Sequence, residues 1–107
     1  MTEPFGPADV ARELDRVADR LRVVAPRLAA RGTPEAAQTL GGLRAAVQAL
    51  ADLGADAERR PAGAVPELAP HALADQVLVL GHDLLAAGDP DAAARAHDLL
   101  VDLRRRL

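Results

Sequence analysis

The sequence predicts an all-α fold: an antiparallel four-helix bundle built from two similar helical hairpins. Three observations carry that expectation. Half of the 107 residues are apolar, yet only one is aromatic, and isoleucine, tyrosine and tryptophan are absent. The apolar content is mainly alanine, leucine and valine, and the first two are among the strongest helix formers. Apolar residues also recur at steps of three and four over long stretches, the period of one helix face. Finally, one turn motif occurs twice, "GTPEAA" at 32–37 and "GDPDAA" at 88–93, an offset of 56 residues.

The first helix is read from Val10, Leu14, Val17, Leu21, Val24 and Leu28, an unbroken heptad seam. Arg12, Glu13, Asp15, Arg16, Asp19 and Arg20 fall on its polar faces. Pro26 cannot donate to the Arg22 carbonyl, so the helix is expected to kink or divide there, and Gly32 closes it. The second helix opens on Thr33 as N-cap, Pro34 at the first helical position and Glu35 at the positive end of the dipole. Its seam is Ala36, Leu40, Leu43, Val47 and Leu50, and Gly54 is expected to end it. Gly41 and Gly42 are either a soft spot or a place where another backbone comes close; each costs about 1 kcal/mol of helix propensity relative to alanine.

Residues 55–66, rich in proline, glycine and alanine and without periodicity, read as a linker. The third helix is expected from about Glu67 to Ala87 on the seam Leu73, Val77, Leu80 and Leu84. Asp89 and Pro90 open the fourth, which carries Ala92, Ala96, Leu99, Leu100, Leu103 and Leu107 on one face. The 56-residue offset also lays Val17, Leu21, Val24 and Leu28 onto the third seam, Leu43 onto Leu99 and Val47 onto Leu103. A duplicated hairpin explains this agreement; independent recurrence of a common helix-to-helix turn is the alternative. The expected organisation is one domain spanning 1–107, with hairpins at about 8–54 and 67–107 that bury their apolar faces on each other. The linker is long enough to cross one end, to run along the bundle, or to let hairpins exchange between chains.

Composition excludes several chemistries. With no Ser, Cys, Lys or Tyr, Schiff-base chemistry, thiol redox chemistry and serine or cysteine triads are ruled out within the chain. Only Asp, Glu, His and Thr2, Thr33 and Thr39 remain as candidate nucleophiles, so the chain is not expected to be an enzyme and no cofactor is expected. Without cysteine there is no disulfide, and "MTEPFGPADV" has neither a basic nor an apolar leader region, so a cytoplasmic location is expected. No apolar run approaches membrane-spanning length, and a net charge of −3 argues against nonspecific nucleic-acid binding. The exclusive use of arginine among basic residues fits the codon bias of a high-GC bacterium.

The tetrapeptide "HDLL" occurs at 82–85 and 97–100, and His71, Asp75 and His82 fall within about 40° of one another on the third helix. Two imidazoles and a carboxylate are ligand types that suit zinc or iron, so His71, Asp75, His82 and His97 are the candidates for a metal or small-ligand site. Their direction opposes it. His82 points away from the seam and His97 lies on the flank of its helix, which makes them surface histidines and leaves no metal site expected. Arg104, Arg105 and Arg106 read as complements to the dipole of a last helical turn.

The third helix carries a second stripe, Ala74, Leu78, Gly81 and Leu85, about 110° from its seam. It is either consumed inside the bundle or offered to another molecule. The function expected is therefore a noncatalytic module for protein–protein association, with a partner interface at Ala74, Leu78, Gly81 and Leu85 and a copy of itself or a larger protein as partner. A His/Asp ligand-binding bundle is the alternative.

Overall fold

A computed structural model describes residues 6–107; Thr2 and Phe5, and with them the first half of the leader reading, lie outside the described residues. The fold is the all-helical four-helix bundle expected: α1 Pro7–Arg31, α2 Pro34–Ala57, α3 Leu73–Ala86, led in by a 3-10 turn at Pro70–Ala72, and α4 Pro90–Arg106.

The two copies of the turn motif do the same physical work. Gly32 and Gly88 adopt left-handed φ of 62° and 69°, a conformation that costs a residue with a Cβ more than glycine. Thr33 then accepts a hydrogen bond from the Ala36 amide at 3.1 Å. Asp89 accepts from the Asp91 and Ala92 amides at 3.0 and 3.3 Å. Proline follows the cap in both copies, where its missing N–H has no helical acceptor in any case. At the start of α1 the Gly6 amide donates to the Asp9 carboxylate at 2.9 Å, the reaching-back half of a capping box.

Burial repeats with the same offset. Val17 and Leu73, Leu21 and Val77, Leu28 and Leu84, and Val47 and Leu103 are buried pairs, while Val24 and Leu80 are both half-buried. The hairpins nevertheless differ in length. Helices of 25 and 24 residues form the first, and of 14 and 17 the second. The turn end of the first hairpin therefore overhangs: the α4 end reaches only Arg20 on α1 and Gly42 on α2.

Cross-helix contacts fix the arrangement. Glu13 meets Arg104 and Arg20 meets Leu107, so α1 and α4 run parallel. Val47 shares a cavity wall with Leu73, and Gly54 packs on Leu84, so α2 and α3 also run parallel. Packing is heaviest between the hairpins, α1 on α3 and α4, α2 on α3 and α4, and lighter within each hairpin. Each hairpin straddles the other. The core is a continuous cluster of leucine, valine and alanine, including Leu14, Leu21, Leu50, Leu73, Leu84, Leu100 and Leu103; each such leucine contributes about 1.5–3 kcal/mol by leaving water.

Three features differ from expectation. α1 runs unbroken through Pro26, because Pro26 and Arg22 are both exposed and water can take the bond the missing N–H leaves open. α2 does not stop at Gly54, which is buried against Leu84, but continues to Ala57. Its end is a Schellman arrangement: Arg60 N–H bonds the Ala55 carbonyl at 3.0 Å and Arg59 N–H the Asp56 carbonyl at 3.1 Å, with Arg59 at φ 55° where glycine is usual. α3 begins near Pro70 rather than Glu67. Ala69, preceding a proline, is held extended at ψ 149°, and the non-helical segment is 58–69 rather than 55–66. The Gly41–Gly42 pair lies within α2, and added methyl groups there would meet no backbone, so no neighbour makes a close approach.

Candidate functional site: an apolar groove

The segment 58–69 runs back along the bundle as a strap over α2 and α3. Its length lets α3 start beside the middle of α2 and run parallel to it. Two glutamines hold it. Gln48 donates to the Gly63 carbonyl at 2.9 Å and accepts from the Val65 amide at 2.8 Å, so its side-chain amide pairs with extended backbone as a neighbouring strand would. Gln76 donates to the Pro66 carbonyl at 2.9 Å, and Arg44 pairs with Glu67 at 3.4 Å.

Between strap, α2 and α3 lies an open groove of about 580 Å³, whose apolar wall includes Ala51, Val65, Leu68, Ala72, Val79 and Leu80. Three large apolar side chains are exposed among the described residues: Val79 at 60%, Leu68 at 47% and Val23 at 43%. Two of them belong to this groove. Val79 stands between Asp75 and Asp83, one helical turn to either side and both exposed. Two ionisable side chains line the groove, Asp75 and Arg60, and Arg60 pairs with Glu58 at 2.6 Å.

The residues expected to form a partner interface divide. Ala74 and Gly81 are buried, Gly81 directly beneath the Leu14 side chain, while Leu78 and Leu85 are half-buried. Half of the second stripe is thus taken up inside the bundle, and the exposed large apolar residue of α3 is Val79. The histidines also divide. His71 and His82 are exposed, as is Asp75, whereas His97 is half-buried with its Nδ1 shielded from solvent, which corrects its expected place at the surface. Among the described residues no three or more His, Cys, Asp or Glu side chains are arranged to hold a metal ion. No described helix is long and apolar enough to cross a membrane.

Glu13, expected on a polar face, is 4% exposed. Arg104 reaches it with two donors, Nε to Oε2 at 3.0 Å and Nη2 to Oε1 at 2.9 Å, and Arg16 stands at 3.9 Å. The Arg104 hydrogen bonds hold the Glu13 carboxyl below its ordinary 4.5 against the opposing effect of burial, with smaller electrostatic help from Arg104, Arg16 and His97. Arg104 is correspondingly raised by the same pairing. A fork-to-carboxylate pair of this kind fixes the register of α4 on α1.

No known protein family, curated protein or solved structure matches this chain. The functional reading therefore rests on the groove and the apolar side chains exposed there.

Proposed function

We propose that this chain is a noncatalytic helical module that works by protein association, its own copies being the first partner. The observation that carries the reading is the pair Leu68 and Val79 on an apolar groove, two of the three large apolar side chains left exposed among the described residues. Exposed apolar surface rimmed by polar groups is characteristic of interaction sites. The absence of Ser, Cys, Lys and Tyr supports a noncatalytic role, and the absence of Cys suits a cytoplasmic setting.

The test is solution mass by light scattering over a wide concentration range, for the natural chain and for Val79→Glu. Val79 is exposed, so the substitution leaves the fold intact while adding charge to the groove. The expected result is concentration-dependent association of the natural chain and a monomeric variant. A natural chain that stays monomeric at every concentration overturns self-association.

A second reading draws on the size of the groove, which lies within the roughly 300–1,000 Å³ range of small-ligand sites. Saturable binding of an apolar dye by the natural monomer, lost in Val79→Glu, would favour a small apolar ligand over a protein.

A further inference from the structure

We propose that two copies of this chain exchange hairpins. The strap opens, and the first hairpin of each copy packs on the second hairpin of the other, giving a closed dimer of two bundles. The contact involved is the buried face between the hairpins, not the groove, so exchange stands or falls independently of the groove association proposed above.

The two hairpins are one another's core. Packing between them is heavier than packing within either, and of the four long helices α3 and α4 touch each other least. Leu14 against Gly81, Gly54 on Leu84 and the Glu13–Arg104 fork all join the first hairpin to the second. A hairpin that leaves its partner therefore exposes a face that only the matching hairpin covers. The matching hairpin of a second copy carries the same residues, so reciprocal exchange rebuilds each of these contacts and closes after two chains.

The strap is the covalent link between the hairpins, and little holds it in place. No residue of 58–69 is buried, and only Val65 is half-buried. Its ties to the bundle are the hydrogen bonds of Gln48 and Gln76 and the Arg44–Glu67 pair, polar contacts that water can replace. Closing the strap on its own bundle also carries strain. Because α2 and α3 run parallel, the chain leaving α2 must reverse direction. It does so through Arg59 at φ 55°, a left-handed conformation disfavoured for a residue with a Cβ. In the exchanged form the strap runs outward to the other bundle and Arg59 relaxes to extended backbone. Pro61 and Pro66 hold the residues before them to that same extended path. Strain in a hinge that opening relieves favours exchange over closure.

The experiment refolds the chain from urea at dilute and at millimolar concentration and reads mass by light scattering after dilution. Every sample carries Val79→Glu, so that groove association is absent. The expected result is a two-chain species that forms on concentrated refolding and persists on dilution, because separating it requires the core to open. Arg59→Pro, which cannot adopt φ 55°, shifts the balance toward that species. Arg59→Gly shifts it toward monomer, by roughly tenfold per strap. Reversing the Glu13–Arg104 pair identifies the species as exchanged. Glu13→Arg alone and Arg104→Glu alone each set like charges together in a closed bundle. Refolded as a mixture, an exchanged dimer restores opposite charges in both bundles and melts above either variant. Absence of a two-chain species from Arg59→Pro at every concentration overturns the inference. So does a yield unmoved by residue 59, or a charge-reversed mixture that melts no higher than its components. None of these outcomes bears on the groove, and a natural chain that associates only after refolding overturns the groove reading while exchange stands.

Discussion

Gly81→Ala tests the packing of α3 on α1 most sharply. A methyl group at Gly81 would lie 2.6 Å from Leu14 Cδ1 and 2.9 Å from its Cγ, where carbon contacts normally settle at about 3.5–4.0 Å. Leu14 is fully buried, so it has no solvent to swing into, and the helices must separate or a side chain must leave its rotamer. Overpacking of this kind costs about 1–3 kcal/mol. Alanine returns about 0.5–1 kcal/mol of helix propensity, so the net loss is at most about 2.5 kcal/mol and centres on about 1 kcal/mol. For a chain of this size the central value corresponds to a fall in Tm of roughly 4–8 °C in thermal unfolding followed by circular dichroism. Leu14→Ala alone should cost about 2–5 kcal/mol. In the double variant the new methyl group fills part of the space Leu14 vacates, so the loss should be smaller than the sum by about 0.5–3 kcal/mol. A Gly81→Ala chain more stable than the natural one, or a strictly additive double variant, would refute the close approach.

The same substitution at Gly41, where an added methyl group meets open space, should have the opposite sign and stabilise the chain by about 0.5–1 kcal/mol in urea unfolding. Arg59→Gly should also stabilise, by about 0.5–1 kcal/mol, because glycine relieves the left-handed φ of 55° at the α2 terminus. The Glu13 carboxyl titrates lower in the folded chain than unfolded, so its contribution is present above about pH 4.5 and is lost as pH falls through the depressed folded value. Melting curves taken from neutral pH into acid should show a shallower acid loss for Glu13→Gln than for the natural chain; equal slopes would contradict the pairing.

The elements that the sequence makes legible are those whose physics is local. Four helices, both cap-proline turns and most of the core follow from spacing and from the chemistry of Gly32, Thr33, Gly88 and Asp89, which the structure uses as residue type dictates. The ends of α2 and the start of α3 were harder to read because burial overrode composition. Gly54 looks like a terminus but is a contact with Leu84, and the actual left-handed position is an arginine, which no propensity marks. Glu13 is hidden in the same way. It sits beside the seam residue Leu14, and only the parallel placement of α4 supplies Arg104 to satisfy it. Val79 did leave a signal. The run Val77-Leu78-Val79-Leu80 places four consecutive apolar residues on a helix at 100° steps, more of the circumference than one buried face can take. One of them must face outward, but which one depends on how α1 and α2 straddle α3. The groove itself was out of reach, because it is made by the path of the strap, and that path is set by side-chain amides of Gln48 and Gln76 acting across 15 and 10 residues.

The central claim is that the groove face is where this chain meets its partner. Side-chain methyl NMR, compared between dilute and concentrated protein, tests it directly. The account predicts shifts confined to the groove, led by the exposed methyl groups of Leu68 and Val79, with the buried Leu14, Leu50 and Leu100 unmoved. A spectrum unchanged with concentration, or one whose shifts fall elsewhere on the surface, would contradict it.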